Sequence, residues 1–124
     1  MPATFKTRDQ SHARIYGHWE TLPAWNLLSP YARCILVAML MDYRKGSNFI
    51  VMSDADAARR ANCARVTAAK AIQQLEECGW IKVARVGKMW GRRVGRASAY
   101  YLTQYPEDIG IPATKDFLKW RPNT

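Results

Sequence analysis

The sequence predicts a mainly α protein with a small β-sheet, of the α+β class, and three stretches carry that prediction. PYARCILVAMLMDY is an apolar run of helical period behind a serine. In DADAARRANCARVTAAKAIQQLEE two alanine-rich helical patterns stand side by side with almost nothing between them. WIKVAR and SAYYLT alternate apolar and polar residues, as half-buried strands do, on either side of a glycine-punctuated loop.

A chain of 124 residues is long enough for one hydrophobic core and too short for two comfortable ones. We therefore expect one domain over 15–105, between a flexible basic arm at 1–14 and a C-terminal extension at 106–124. The longest strongly apolar run, CILVAMLM at 34–41, is far short of the roughly 20 residues of a membrane span, and no basic-then-apolar leader opens the chain. The expected setting is cytoplasmic and nucleoid-associated, with no membrane contact. Three cysteines make no disulfide framework, and Cys63 and Cys78 lack the paired spacing or histidine partners of a zinc site, so buried thiols and no metal are expected.

The elements follow in order. MPATFKTRDQSHAR has no period and is left without structure. IYGHWETLPAWNLL carries large aromatics around Gly17 and Pro23, which suggests an irregular segment anchored on the core by Tyr16, Trp19 and Trp25. Ser29 suits the N-cap and Pro30 the first position of a helix over 30–43. RKGSN breaks that helix, and NFIVMS supplies a short first strand. Ser53 caps a second helix over DADAARRA, with Asp54 and Asp56 where the helix dipole favours acids; it ends at Asn62, a residue that tolerates left-handed backbone. A third helix spans 64–78 and Gly79 stops it.

Alanine at facing positions lets two helix backbones approach closely, and two short helices crossed through so tight a turn form a helix-turn-helix. On the third helix Ala68, Ile72 and Leu75 share an inward face, Val66, Lys70, Gln73 and Glu77 point away, and Thr67 and Gln74 lie on a flank. The outward N-terminal half carries Arg65, Thr67 and Lys70. Arg and Lys donate to phosphates and guanine edges, Thr offers a hydroxyl and a methyl, and Gln73 or Gln74 can pair with an adenine edge. An amphipathic helix with a few basic residues outward can also be merely solvated.

Charge weighs against that blander reading. Nineteen Lys and Arg against ten Asp and Glu give a formal net charge of +9, which favours a polyanionic partner. The excess is concentrated: Lys82, Arg85, Lys88, Arg92, Arg93 and Arg96 fall together with no acid among them. VGKMWGRRVGR, residues 86–96, reads as the cationic tip of a hairpin whose strands are WIKVAR and SAYYLT. Trp90 within it can stack on sugar or base, fill a partner's pocket, or fold back on the domain's own core.

A strand, two helices and a hairpin with a cationic tip follow one another in the order of the winged helix, and over roughly residues 29–105 the chain resembles that family. The resemblance rests on DAARRANCARVTAAKAIQQLEECGWI, similar to the family's helix, turn, recognition helix and exit, and on RASAYYLT, similar to its returning wing strand. LSPYAR and the stretch after YP resemble small winged-helix proteins of bacterial chromosomes, phages and plasmids. The resemblance implies a winged helix-turn-helix with short N- and C-terminal extensions, a recognition helix at 64–78 and a wing at 86–96. Two positions depart from the pattern: Asn62 stands where glycine is commoner and Ala64 where a capping serine is commoner.

These readings converge on a sequence-specific double-stranded DNA-binding protein, a small transcriptional regulator. Arg65, Val66, Thr67, Lys70, Gln73 and Gln74 would sit in the major groove, and Lys88, Trp90, Arg92, Arg93 and Arg96 on the backbone or minor groove. PATKDFLKW is expected to form a short helix with Phe117, Leu118 and Trp120 on one apolar side, packing on the first main helix or, as the resemblance implies, forming a homodimer contact. No catalytic constellation is evident: His12 and His18 have no spaced acidic or cysteine partners, and no glycine-rich phosphate loop precedes a helix. The expectation is a protein that is no enzyme and needs no cofactor. Two other jobs suit the same residues: a plasmid or phage replication or partition accessory, and an adaptor or inhibitor whose winged-helix surface meets a host protein.

Overall fold

A computed structural model describes residues 12–44, 47–85, 97–107 and 111–122 of the chain, together with the backbone of 89–90 and 93–94. Most of the expected arm 1–14 lies outside these residues, but Ala13 already packs against the core.

The segment expected to be irregular contains a 3₁₀ turn, Gly17–Thr21, and a one-turn helix α1, Pro23–Asn26. Helix α2 runs Pro30–Asp42, started by Pro30 and by the Ser29 hydroxyl, which accepts from the Ala32 N–H at 3.1 Å. Ala32, Ile35, Leu36, Ala38, Met39 and Leu40 are all buried, so α2 is covered on most sides and forms the centre of the domain.

Helix α3, Asp54–Ala61, is capped by Ser53 and carries Asp54 and Asp56 in its first turn. Asn62 takes the left-handed conformation (φ 55°), and three residues after α3 helix α4 begins, Arg65–Glu77. Ala57, Ala58, Ala68 and Ala71 are buried, and α3 and α4 both pack on α2. Small side chains at these positions let three helices share so small a core. Arg60 donates to Asp42 at 2.6 Å and to the Ala38 carbonyl at 3.3 Å, which fastens α3 to the end of α2; the bond to Asp42 raises the Arg60 pKa further above its ordinary value.

The strands are β1 (Ile50–Val51), β2 (Ile81–Arg85), β3 (Met89–Trp90), β4 (Arg93–Val94) and β5 (Ala99–Leu102). β5 lies between β1 and β2, antiparallel to both, and β3 pairs with β4 in a separate ribbon within the loop, Trp90 opposite Arg93. The first strand is shorter than NFIVMS suggests, because at Asn48 a side chain replaces the ladder. Its Oδ1 accepts from the Leu102 N–H at 2.8 Å and its Nδ2 donates to the Leu102 carbonyl at 2.9 Å, so the amide imitates a strand residue while buried.

The C-terminal extension corrects the sequence reading most clearly. In place of a longer helix there is one 3₁₀ turn, Asp116–Leu118, and its Phe117 packs on Trp80, in the link between α4 and β2. Phe117 stacks on Trp80 with ring centroids 4.1 Å apart and planes 5° apart; Trp19 meets both edge-on at 4.8 and 5.7 Å. The Lys115 N–H donates to the Thr103 carbonyl at 2.8 Å, and Lys115 has left-handed backbone (φ 46°), so helical geometry begins only at Asp116. Leu118 remains partly exposed and Trp120 half-buried.

Gly79 is required twice at this junction. Its φ of +85° is a conformation side chains rarely adopt, and a Cβ there would lie 2.9 Å from the backbone of Asp116 and Phe117. Gly79→Ala should therefore destabilise the protein by more than the roughly 1–2 kcal/mol of the backbone term alone. Phe117→Ala should cost about 3–5 kcal/mol, as for other buried aromatics. Urea denaturation checks both, and a near-neutral Phe117→Ala would mean that the extension is not part of the core.

Candidate nucleic-acid interface

Helix α4 is held from within by Ala68, Ala71, Ile72 and Leu75, all buried. Burial on that side turns Arg65, Val66, Lys70 and Gln73 to solvent; Val66 is 68% exposed, a large fraction for an apolar side chain. Thr67 is half-buried on the flank. The inward and outward faces are those expected from the periodicity, with Ala71 added to the inner one.

Charge is unevenly distributed along α4. Its first turn has no acid, and its N-cap, Ala64, has no side chain that can accept from the orphan N–H groups. The start of the helix is thus positive through its dipole as well as through Arg65 and Lys70. Glu76 and Glu77 lie exposed at the other end. An anion would be attracted to the first two turns and repelled from the last.

Gln74 differs from the other outward positions. Its Oε1 accepts from the Ser29 N–H at 2.9 Å and its Nε2 donates to the Leu27 carbonyl at 3.0 Å. Both ends of the amide are engaged in fastening α4 to the segment entering α2, so Gln74 is a brace and not a side chain free to pair with a base edge. Gln73, one position earlier, stays exposed.

Tyr31 joins the surface from α2, a contribution absent from the sequence reading. It is 44% exposed and, with Ser29, Val66, Thr67, Lys70 and Gln73, lines an open depression along α4. Nothing in the sequence signals this contribution, because it is the long-range brace through Gln74 that brings the first turn of α2 against α4.

Of the other expected contacts, Lys88, Arg92 and Arg96 lie outside the described residues, and for Trp90 and Arg93 only the backbone is described, in the β3–β4 ribbon. Of the three cysteines expected to be buried only Cys78 is, which pushes its thiol pKa up and away from reactivity; Cys63 is half-buried and Cys34 lies exposed on α2. Among the described residues no helix is long and apolar enough to cross a membrane, and no three His, Cys, Asp or Glu side chains gather into a potential metal site. Comparison with family models, curated proteins and solved structures finds no match for the chain.

The brace makes a clear contrast between neighbours. Gln74→Ala should lower the melting temperature, at a cost of roughly 1 kcal/mol, because the part-buried Ser29 N–H loses its partner while water can replace the amide at the exposed Leu27 carbonyl. Gln73→Ala should stay within about 0.5 kcal/mol of the parent. Equal melting of the two variants would remove the brace from this description.

Proposed function

We propose that the chain is a winged helix-turn-helix protein that binds double-stranded DNA in a sequence-specific way, a small transcriptional regulator that acts as a homodimer in the cytoplasm. One observation carries the reading: a helix anchored by its apolar side presents Arg65, Val66, Lys70 and Gln73 together to solvent, at the end of the helix where dipole and side chains are both positive. The net charge of +9 supports it.

In this reading α4 enters a major groove by its N-terminal half, the end that a helix-turn-helix presents to base edges. Arg65 and Lys70 donate to guanine edges or phosphates, Val66 offers apolar contact to a thymine methyl, and Gln73 can pair with adenine. Thr67 supplies a hydroxyl at the flank, and Tyr31 joins from α2. The segment 86–96, with Lys88, Trp90, Arg92, Arg93 and Arg96, follows phosphates or the adjacent minor groove. Glu76 and Glu77 keep the far end of α4 away from the backbone.

Selection from random duplexes followed by salt titration tests the proposal. An enriched palindrome is expected, with log-log salt dependence of about 0.9 per phosphate neutralised; no enrichment or a slope near zero overturns it. Arg65→Ala should melt like the parent and lose roughly 1–3 kcal/mol of binding on the preferred site, relaxing specificity at one base pair. Leu75→Ala should lose binding by unfolding, at roughly 2–5 kcal/mol of stability. An Arg65→Ala protein that melts normally and discriminates as the parent does would take α4 out of recognition.

A further inference from the structure

A second surface lies on the three-stranded sheet, opposite the core. Ile50, Ile81, Tyr100 and Leu102 are buried on the inner side. The alternate positions face outward: Phe49 and Val51 on the β1 segment, Tyr101 on β5, and Lys82 on β2 beside Tyr101. Phe49 is 43% and Val51 49% exposed, and the Phe49 and Tyr101 rings meet edge-to-face at 6.3 Å.

A lone exposed ring on a sheet would mean little. Here a cation is fixed over it. Arg85 and Val51 both pair with Ala99, and this small residue between them lets the Arg85 side chain reach across β5. Its guanidinium carbon lies 5.5 Å from the centre of the Phe49 ring, while Nε and one Nη donate to the Ala97 carbonyl at 3.2 and 2.8 Å. Lys82 is neutralised by Glu107 at 3.1 Å, so among the described residues the positive charge of this face rests on Arg85.

We infer that this face is a stacking platform for single-stranded nucleic acid. One exposed ring, a half-buried second ring against its edge and a planar cation over the first match what an unpaired strand offers: base faces that stack on aromatics and guanidinium planes, and phosphates that need a counter-charge. Duplex DNA keeps its base faces covered and would gain nothing from the rings. Binding here would be tolerant of sequence, because stacking uses the faces of bases and not their edges. The platform shares no residue with the α4 surface, so it stands or falls independently of the duplex reading.

The test uses the full chain and a fluorescent oligothymidine of about 15 nucleotides, within the range of lengths that single-strand sites cover. Phe49→Leu and Tyr101→Leu keep an apolar side chain and remove the ring; each should weaken oligothymidine binding roughly 5- to 150-fold with melting and duplex affinity unchanged. Phe49→Trp should bind at least as well as the parent. A parent that does not bind oligothymidine, or leucine variants that bind it as the parent does, would overturn the inference. So would single-strand binding lost on Arg65→Ala and Lys70→Ala alone, which would place the strand on α4, or a change in molar mass by light scattering in the leucine variants, which would make this face a contact between copies of the chain.

Discussion

The stack of Phe117 on Trp80 is the interaction on which the rest of the arrangement depends. Trp80 comes two residues after the cap of α4 and immediately before β2, so its position sets where the helix ends and where the sheet begins. Three separate parts of the chain close on it. Phe117 arrives from the C-terminal turn, Trp19 from the N-terminal 3₁₀ turn, and α1 is tied to it by the indole Nε1–H donating to the Ala24 carbonyl at 3.0 Å. Edge-to-face and stacked pairs of this kind add direction to the burial of large apolar surface, so the cluster fixes orientation as well as stability. The segments before α2 and after β5 are thereby part of the core.

That constraint explains how so small a domain can leave α4 exposed. A helix with only alanines and two larger apolar residues on its inner side has little surface with which to hold itself. Its C-terminal end and one flank add to the hold of that apolar side. Trp80 and Gly79 fix the C-terminal end, and Gln74 ties its flank to the backbone before α2. The outward positions Arg65, Val66, Lys70 and Gln73 are then released from packing and stay exposed. The sheet follows the same logic at Ala99, where a small residue at the centre allows Arg85 to lie across the strand and keep its charge beside a ring.

The two helices of the turn contrast in how they begin. α3 has the Ser53 cap and two acids in its first turn, the standard stabilising arrangement for a helix whose start meets only water. α4 has neither, and forgoes ~1 kcal/mol of capping. A positive, uncapped helix start is unfavourable in isolation and becomes favourable beside an anion. The missing cap therefore fits the proposed role of α4 and has no evident structural benefit.

What the sequence determined by itself is everything settled within one turn of chain. The starts at Ser29 and Ser53, the left-handed Asn62, the stop at Gly79, the two faces of α4 and the presence of strands at β2 and β5 depend on local hydrogen bonds, backbone sterics and side-chain period, and each was legible before any packing was known, whereas the register shift between Val83 and Arg85 breaks the expected alternation of β2. Tertiary structure alone decided which polar residues were already engaged and which apolar ones had a partner. Gln73 and Gln74 look alike in sequence, and only the arrival of residues 27–29, more than forty positions away, makes one a brace and leaves the other free. Asn48 reads as part of a strand until Leu102 is beside it; Phe117 reads as one side of a helix until Trp80 is; Phe49 and Arg85 read as unrelated until β5 brings them together. Local pattern specifies the direction a side chain takes, whereas its partner is set by chain closure over long separations, which no periodicity encodes.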